Sequence, residues 1–309
     1  MRPDPILFIA LGLVWGTNFL FMKQAAHVVS PLQVAWLRAV FGAIPIVLFA
    51  LSRRSMSKVH LRHAHHFVAM SFLSTVVPYV CFVMGTQHLK SGAAGAISGV
   101  IPLMTALFAA IFLRSDPLTA RKAAGLILGL VGVACVADVR SLFGAASSDA
   151  LVGTAFMLLG SAGYAAGMVY TKRFVSPLNL SPVALAGYQT TGAAVILGLI
   201  APKAGAMAIA HEPYALAALV LGLGVLGTGI AFILYYRIIE RLGAITASSV
   251  FYIPPVVALS VGAFIAGEGL SVSRCGGTAV ILVGVYFARN GGPPKCAQVE
   301  AAPSARTSS

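Results

Sequence analysis

AAGAISGVIPLMTALFAAIFL, residues 93–113, carries no charge from end to end. It is as long as the roughly 20 apolar residues that an α-helix needs to cross the hydrocarbon of a bilayer. Its counterpart AITASSVFYIPPVVALSVGAFIA, residues 244–266, repeats its landmarks: Pro102 maps to Pro254 and Phe112 to Phe264, each pair 152 residues apart. The same separation carries Leu118 onto Leu270, and Leu130-Val131-Gly132-Val133 onto Leu282-Val283-Gly284-Val285. Ser30-Pro31 recurs as Ser181-Pro182 at 151, and Lys23 as Lys172 at 149. Apolar spans share Leu, Ala, Gly and Val by composition alone. Proline and polar landmarks recurring in one order are what mark an internal repeat.

Working outward from these two stretches, eight more apolar runs follow the same pattern. The ten are residues 6–22, 32–51, 67–84, 93–113, 120–137, 151–170, 182–201, 214–236, 244–266 and 272–288. Only helices and closed barrels satisfy every backbone group in lipid. Barrel strands alternate over ten-residue segments, and these runs are continuous, so helices are expected. The expected fold is all-α and integral to the membrane, with ten transmembrane helices in two five-helix repeats over 6–138 and 151–289. A repeat of five spans is odd, so the second copy enters the membrane inverted relative to the first. Inverted repeats are a transporter architecture, with two related states built around one central site. Residues 290–309, rich in Gly, Pro, Ser and Ala, read as a disordered cytoplasmic tail.

Composition excludes the competing classes. Of the 309 residues, 59% are hydrophobic and 9% charged, with a mean hydropathy of +0.92. A soluble domain carries about 25% charged residues, so an ordinary globular enzyme, a disordered chain and a disulfide-stapled secreted domain are all excluded. The 21 Lys and Arg against 8 Asp and Glu do not point to nucleic acid, because they sit in short clusters between apolar runs. There they act as topology signals and as contacts to membrane lipids. With the N-terminus inside, fifteen of these basic residues fall in cytoplasmic segments and five outside, with Arg38 within a span. Both termini are therefore expected in the cytoplasm of a multi-pass plasma (inner) membrane protein. The first run is too long for a cleavable signal core and is expected to be retained. Cys81, Cys135, Cys275 and Cys296 share no metal-type spacing, and no disulfide or metal site is expected from them.

Several motifs resemble one family. They are Trp15-Gly16-Thr17-Asn18-Phe19 in the first span and Pro31-Leu32-Gln33-Val34-Ala35-Trp36-Leu37-Arg38 opening the second. Ala93-Ala94-Gly95-Ala96 and Pro102-Leu103-Met104-Thr105-Ala106-Leu107 lie in the fourth, and Gly267-Glu268-Gly269-Leu270-Ser271 closes the ninth. Together they resemble the drug/metabolite transporter superfamily in its ten-helix form with two EamA-type domains. The resemblance covers roughly residues 6–289 and implies export of small metabolites, often amino acids or related compounds, by alternating access. Two departures stand out: Arg114-Ser115-Asp116-Pro117 replaces a Gly-Glu pair in the first repeat, and Gln189 stands where the first repeat has Arg38.

Arg38 is the most informative single position. A charge at the centre of a span costs about 2.5–3.5 kcal/mol on the insertion scale. It either faces a wet cavity and attracts a carboxylate, or snorkels to the interface. Trp15 and Asn18 share one helix face, and Tyr164 holds the corresponding span of the second half. With Tyr79, Tyr252 and Gln189 they form the candidate substrate-binding set; helix packing and the interfacial aromatic belt are the competing readings. Pro102 and Pro254 are candidate hinges or static kinks. The segment His60-Leu61-Arg62-His63-Ala64-His65-His66 reads as a basic juxtamembrane loop rather than a metal site, because no carboxylate or Cys accompanies it. Asp116, Asp138, Glu240 and Glu268 fall near span ends, and the repeat-mates Asp116 and Glu268 are expected to cap the next helix.

The chain has no H-E-x-x-H, G-x-S-x-G or P-loop. No catalytic residue, cofactor or metal is expected. The expected function is export of a small-molecule substrate, amino-acid-like or an organic acid. A multidrug or cation exporter of the same fold, or a lipid-acting membrane enzyme, is the alternative. Monomer and homodimer both remain open.

Overall fold

In a computed structural model of the chain, residues 5–113, 118–137, 148–235, 237–238 and 248–289 are described. All of their regular structure is helical. In chain order the helices are α1 (Pro5–Ala26), α2 (Pro31–Ser52), α3 (Val59–His88), α4 (Ser91–Phe112) and α5 (Ala120–Val136). They continue with α6 (Ser148–Leu178), α7 (Pro182–Ile200), α8 (Pro213–Tyr235), α9 (Val250–Phe264) and α10 (Val272–Arg289). Among the described residues, seven helices, α1–α4 and α6–α8, are long and apolar enough to cross a membrane. The others are shorter, 17 residues for α5 and 18 for α10, so the ten expected spans are matched by length and hydropathy only in part. The expectations for Arg114-Ser115-Asp116-Pro117, Asp138, Glu240 and the 290–309 tail lie outside the described residues.

Local chemistry explains several boundaries. Ser30 and Gln33 form a capping box at the start of α2: Gln33 N donates to Ser30 Oγ at 3.4 Å, and Ser30 N donates to Gln33 Oε1 at 2.9 Å. Pro31 follows at the first helical position, where its missing N–H costs nothing. The Gln33 amide also donates to Pro202 O and Ala204 O, tying α2 to the α7–α8 connection. α4 breaks at Gly99–Val100 and restarts at Ile101, with Pro102 in the first turn of its second half. α9 is built alike: a 3₁₀ turn over Ser248–Tyr252 precedes Ile253–Phe264, whose first turn holds Pro254. π-helical stretches interrupt α3 at Phe72–Val76, α6 at Thr171–Val175 and α8 at Ala218–Ile230. The expected loop at His60–His66 is instead helical: a 3₁₀ stretch over Lys58–His63 opens α3 and passes into α-helix at Ala64. Its rings meet tyrosine hydroxyls: His60 Nδ1 lies 3.1 Å from Tyr188, and His66 Nδ1 2.8 Å from Tyr170.

The packing pairs the two halves reciprocally. α1 packs on α9 as α6 packs on α4; α2 packs on α8 as α7 packs on α3; α1 meets α8 as α6 meets α3. α4 meets its own repeat-mate α9, and α5 meets α10. The α5–α10 seam is the closest. A Cβ on Gly125 would stand 2.5 Å from Gly284 O, and one on Gly132 would stand 2.6 Å from Gly277 O. Only glycine lets two backbones approach this far in lipid. Gly125 and Gly277 are separated by 152 residues, as are Gly132 and Gly284, so the two contacts exchange between the repeats. The other G-x-x-x-G faces also pack within the chain; Gly12 and Gly16, for example, lie against Ile253 and Val257 of α9.

Candidate functional site

A cavity of about 120 Å³ lies at the centre of the bundle, lined from α1, α2, α3, α4, α6, α8 and α9. It gathers Trp15, Asn18, Arg38, Tyr79 and Tyr164, five of the seven candidate binding residues, together with the hinge candidate Pro254.

Arg38 is 4% exposed. Its guanidinium carbon lies 3.9 Å from the centroid of the Tyr79 ring, and its Nε donates to Thr228 Oγ1 at 3.1 Å. The π-helical stretch of α8 turns Thr228 toward α2 and α3. The Thr228 hydroxyl donates to Leu223 O at 2.9 Å, so its lone pairs accept from Arg38 Nε and, at 3.2 Å, from the Tyr79 hydroxyl. This network fixes the plane of the guanidinium. Its Nη1 finds only the Met22 sulfur, at 4.0 Å, and among the described residues no carboxylate pairs with Arg38. The unused edge of the fork lines the cavity.

Asn18 adds an acceptor. It is 4% exposed, and its Oδ1 has no hydrogen-bond partner. Gly227 makes the room, because a Cβ there would collide with that oxygen. The walls are aromatic. Trp15 stacks on Phe251 at 5.2 Å and meets Tyr235 at 5.5 Å. On another side Phe82 lies 6.0 Å from Phe19 and 5.8 Å from Tyr164. The site combines fixed positive charge, one orphan acceptor and flat apolar surfaces, a composition typical of small-molecule sites.

Two candidates stand elsewhere. Gln189 does not reach the cavity; its Nε2 donates to Thr75 Oγ1 at 2.8 Å, in the π-helical stretch of α3. The amide is consumed by helix packing, so the expectation that Gln189 binds substrate alongside Arg38 is not met in this conformation. Tyr252, with Pro102, lines a second cavity of about 410 Å³. Ile101, Met168, Tyr235 and Phe251 line both cavities, so the two adjoin. The larger one runs toward Leu113 at the end of α4, and Lys122 and Lys172 line it. Lys122, in the first turn of α5, is 5% exposed.

The opposite end of α4 is tied to the second half of the chain. Glu268 Oε1 accepts from Ser91 N at 2.7 Å and from Ser91 Oγ at 2.8 Å, and Oε2 accepts from Gly92 N at 3.0 Å. Lys23 Nζ stands 3.8 Å from Oε1 and donates to Leu89 O at 3.1 Å. Glu268 therefore caps α4 of the other half, not the next helix α10 as expected. Burial pushes its carboxyl upward. The N–H groups of Gly92 and Ser91, the Ser91 hydroxyl and Lys23 outweigh burial and hold it below the ordinary carboxylate range. A second pair crosses between the halves at this end: His88 Nδ1 lies 2.8 Å from Asp149 Oδ1.

The sequence reading missed Thr228, Tyr235 and Phe251. Thr228 had one signal, a lone hydroxyl in the glycine-dense stretch of residues 218–230.

The profile of the EamA-like transporter family matches residues 5–137 and again 151–289. The chain belongs to this family. Its EamA-like domain therefore occurs twice, within the drug/metabolite transporter superfamily, and the chain is a multi-pass membrane protein. The Bacillus subtilis protein named "Uncharacterized transporter YoaV" is 23% identical over 279 residues, covering 90% of this chain and 94% of its own. "Uncharacterized inner membrane transporter YedA" of Escherichia coli K12 is 27% identical over 266 residues, covering 85% and 82%. An Escherichia coli K12 protein named "Probable amino-acid metabolite efflux pump" is 22% identical over 301 residues, covering 93% and 94%. A protein of known crystal structure superposes with a TM-score of 0.61 at 20% identity, covering 92% of this chain and 96% of its own, a likeness of fold alone.

Proposed function

We propose that this EamA-family chain exports a small carboxylate-bearing metabolite, amino-acid-like or an organic acid, by alternating access and without covalent chemistry. The observation that carries the reading is Arg38: a buried guanidinium in the central cavity, oriented by Tyr79 and Thr228, with no carboxylate beside it among the described residues. A charge of this kind in a membrane core marks a substrate path, and an Arg fork suits a carboxylate. The relative named as an amino-acid metabolite efflux pump supports the same class.

In this proposal the bundle is ten spans in two inverted five-helix repeats, with both termini in the cytoplasm of the plasma membrane. The reciprocal helix pairs support the inversion. A cavity at one end of α4 and the Glu268 contacts at the other support a state open to one face and shut to the other. Rocking one repeat against the other exchanges these roles. Pro102 and Pro254, at matching breaks in α4 and α9, serve as its hinges. The aromatic walls favour a second reading, export of a flat organic cation, which the Arg38 charge opposes.

Flux into proteoliposomes tests the proposal with a panel of amino acids, organic acids and organic cations. Wild-type protein moves at least one carboxylate, and Arg38→Gln reduces that flux about a hundredfold while melting near the wild-type temperature. Wild-type flux in Arg38→Gln, or transport of cations alone, overturns the anionic-cargo reading. A tag at Ser309 reached only from outside the cell overturns the orientation.

A further inference from the structure

We infer that Asn18 selects for ammonium-bearing cargo: its side-chain oxygen accepts from the ammonium of an α-amino acid whose carboxylate Arg38 holds. The inference rests on the transport reading above and narrows it, since an organic acid without the ammonium leaves that oxygen unmet.

The first support is an unsatisfied group. Asn18 is 4% exposed, and its Oδ1 has no hydrogen-bond partner. Buried polar atoms are nearly always paired, because a bare one forfeits its bond to water. In this conformation the oxygen lies against Gly227, where a Cβ would collide with it. Rotation about χ2, a soft sp³–sp² torsion, swings it toward the central cavity that the residue lines. The acceptor is neutral, and the described lining of that cavity holds no carboxylate. An aspartate at this place would compete with the cargo for Arg38; an amide leaves the guanidinium free to bind it.

The second support is spacing. Trp15, Asn18, Phe19 and Met22 recur on one face of α1, and all four line the central cavity. Met22 marks the level of Arg38, whose Nη1 lies 4.0 Å from its sulfur. Asn18 stands one turn before Met22, about 6 Å along the axis, and Trp15 stands about 4.5 Å beyond Asn18. A second route leads to the same neighbourhood: Gly227, which the amide touches, precedes Thr228, which accepts from Arg38 Nε at 3.1 Å. Along α1 the cavity therefore presents a guanidinium fork, then an amide, then the stacked rings of Trp15 and Phe251. An α-amino acid carries its groups in the same order: carboxylate, ammonium two bonds away, side chain beyond. Two hydrogen bonds of about 2.9 Å and that short link together bridge one turn of helix.

The test compares amino acids with their desamino counterparts. Phenylalanine with 3-phenylpropionate, and leucine with 4-methylpentanoate, are titrated by calorimetry into purified full-length protein in detergent. Wild type is expected to bind at least one amino acid about tenfold more tightly than its desamino partner, as one hydrogen bond to a charged group allows. Asn18→Leu keeps the branched shape and removes both polar atoms. It brings that pair within about twofold and leaves the desamino acid bound as before; Asn18→Ala, should the Leu variant not fold, does the same. Arg38→Gln weakens both members. Equal binding of the pair by wild type, or tighter binding of the desamino acid, overturns the role of Asn18 and leaves the carboxylate reading standing. A preference that survives in a folded Asn18 variant overturns it too, by assigning the ammonium to the aromatic walls. Equal weakening of both members in the Asn18 variants also overturns it, since a residue that only shapes the cavity acts on both. Binding of neither pair by folded wild-type protein overturns this inference together with the carboxylate reading.

Discussion

Gln189 donates its side-chain amide to Thr75 at 2.8 Å, the repeat image of the 3.1 Å bond from Arg38 to Thr228. In each case a polar side chain of one half's second helix meets a threonine in a π-helical stretch of the other half's third helix. Only one of the two is charged, and only that one borders the central cavity. The duplication has kept the scaffold contact and divided the chemistry.

Thr228→Val tests the positioning of Arg38. The change removes the oxygen that accepts from both Arg38 and Tyr79 and leaves two buried donors unpaired. A hydrogen bond to a charged group contributes about 1.5–3 kcal/mol. Apparent affinity for a transported carboxylate should fall about tenfold or more, and Thr228→Ser should recover most of it. Titrations of flux against substrate concentration in the two variants make the comparison.

Gln189→Ala should behave differently from any cavity variant. The amide serves the α7–α3 packing, so the melting temperature should drop while the affinity for cargo stays within about twofold of wild type. The drop reflects loss of one neutral hydrogen bond, about 0.5–1.5 kcal/mol. Thermal denaturation and flux on the same preparation separate the two effects.

Glu268→Gln should loosen the closed end. The carboxyl of Glu268 is held below its ordinary value, so the ionised form is the one the folded state stabilises. Its contribution is fully present above the unfolded value, about 4.3, and is lost as pH falls through the lower folded value. Stability should therefore show no Glu268 effect of pH between about 6 and 8, and a loss only below about pH 4. Glu268→Gln should abolish that acid-side loss and weaken the end contacts at neutral pH. Labelling of Ser98→Cys, a residue of the central cavity, from the Glu268 face should become faster. Unchanged labelling in Glu268→Gln would show that the contacts cap α4 without gating access.

Gly284→Val should prevent folding or lower the melting temperature by more than any surface change. A Cβ at Gly284 already stands 2.6 Å from Gly125 O, which belongs to a helix backbone and has nowhere to go. Gly276→Ala, about two turns earlier in the same helix and facing open space, should be neutral or stabilising by up to about 1 kcal/mol. Melting curves of the pair distinguish close packing from a general intolerance of α10.

Much of the architecture was legible because lipid is a demanding solvent. Continuous apolar runs bounded by Lys, Arg and Pro left few alternatives to helices, and matched prolines at 102 and 254 exposed the repeat. What one-dimensional pattern could not supply was the depth and direction of individual side chains. Arg38 was found because a charge interrupts a span. Lys122 stands beside Arg121 at the start of the run 120–137, and the pattern does not reveal that its side chain is nearly buried in the first turn of α5. Gln189 was credited with binding because its repeat-mate was charged, and its real partner, Thr75, becomes visible only when α7 lies against α3. Glu268 reaches across to α4, a contact between residues far apart in the chain that no local capping rule anticipates.

The seam of Gly125 with Gly284 and Gly132 with Gly277 carries a mechanical consequence. Two backbone-to-backbone contacts, about two helical turns apart, lock α5 and α10 like a pair of keyed shafts. In the proposed cycle the pair serves as a stator, and what rotates or tilts is drawn from α1–α4 and α6–α9, hung on either side of a spine that does not itself shear.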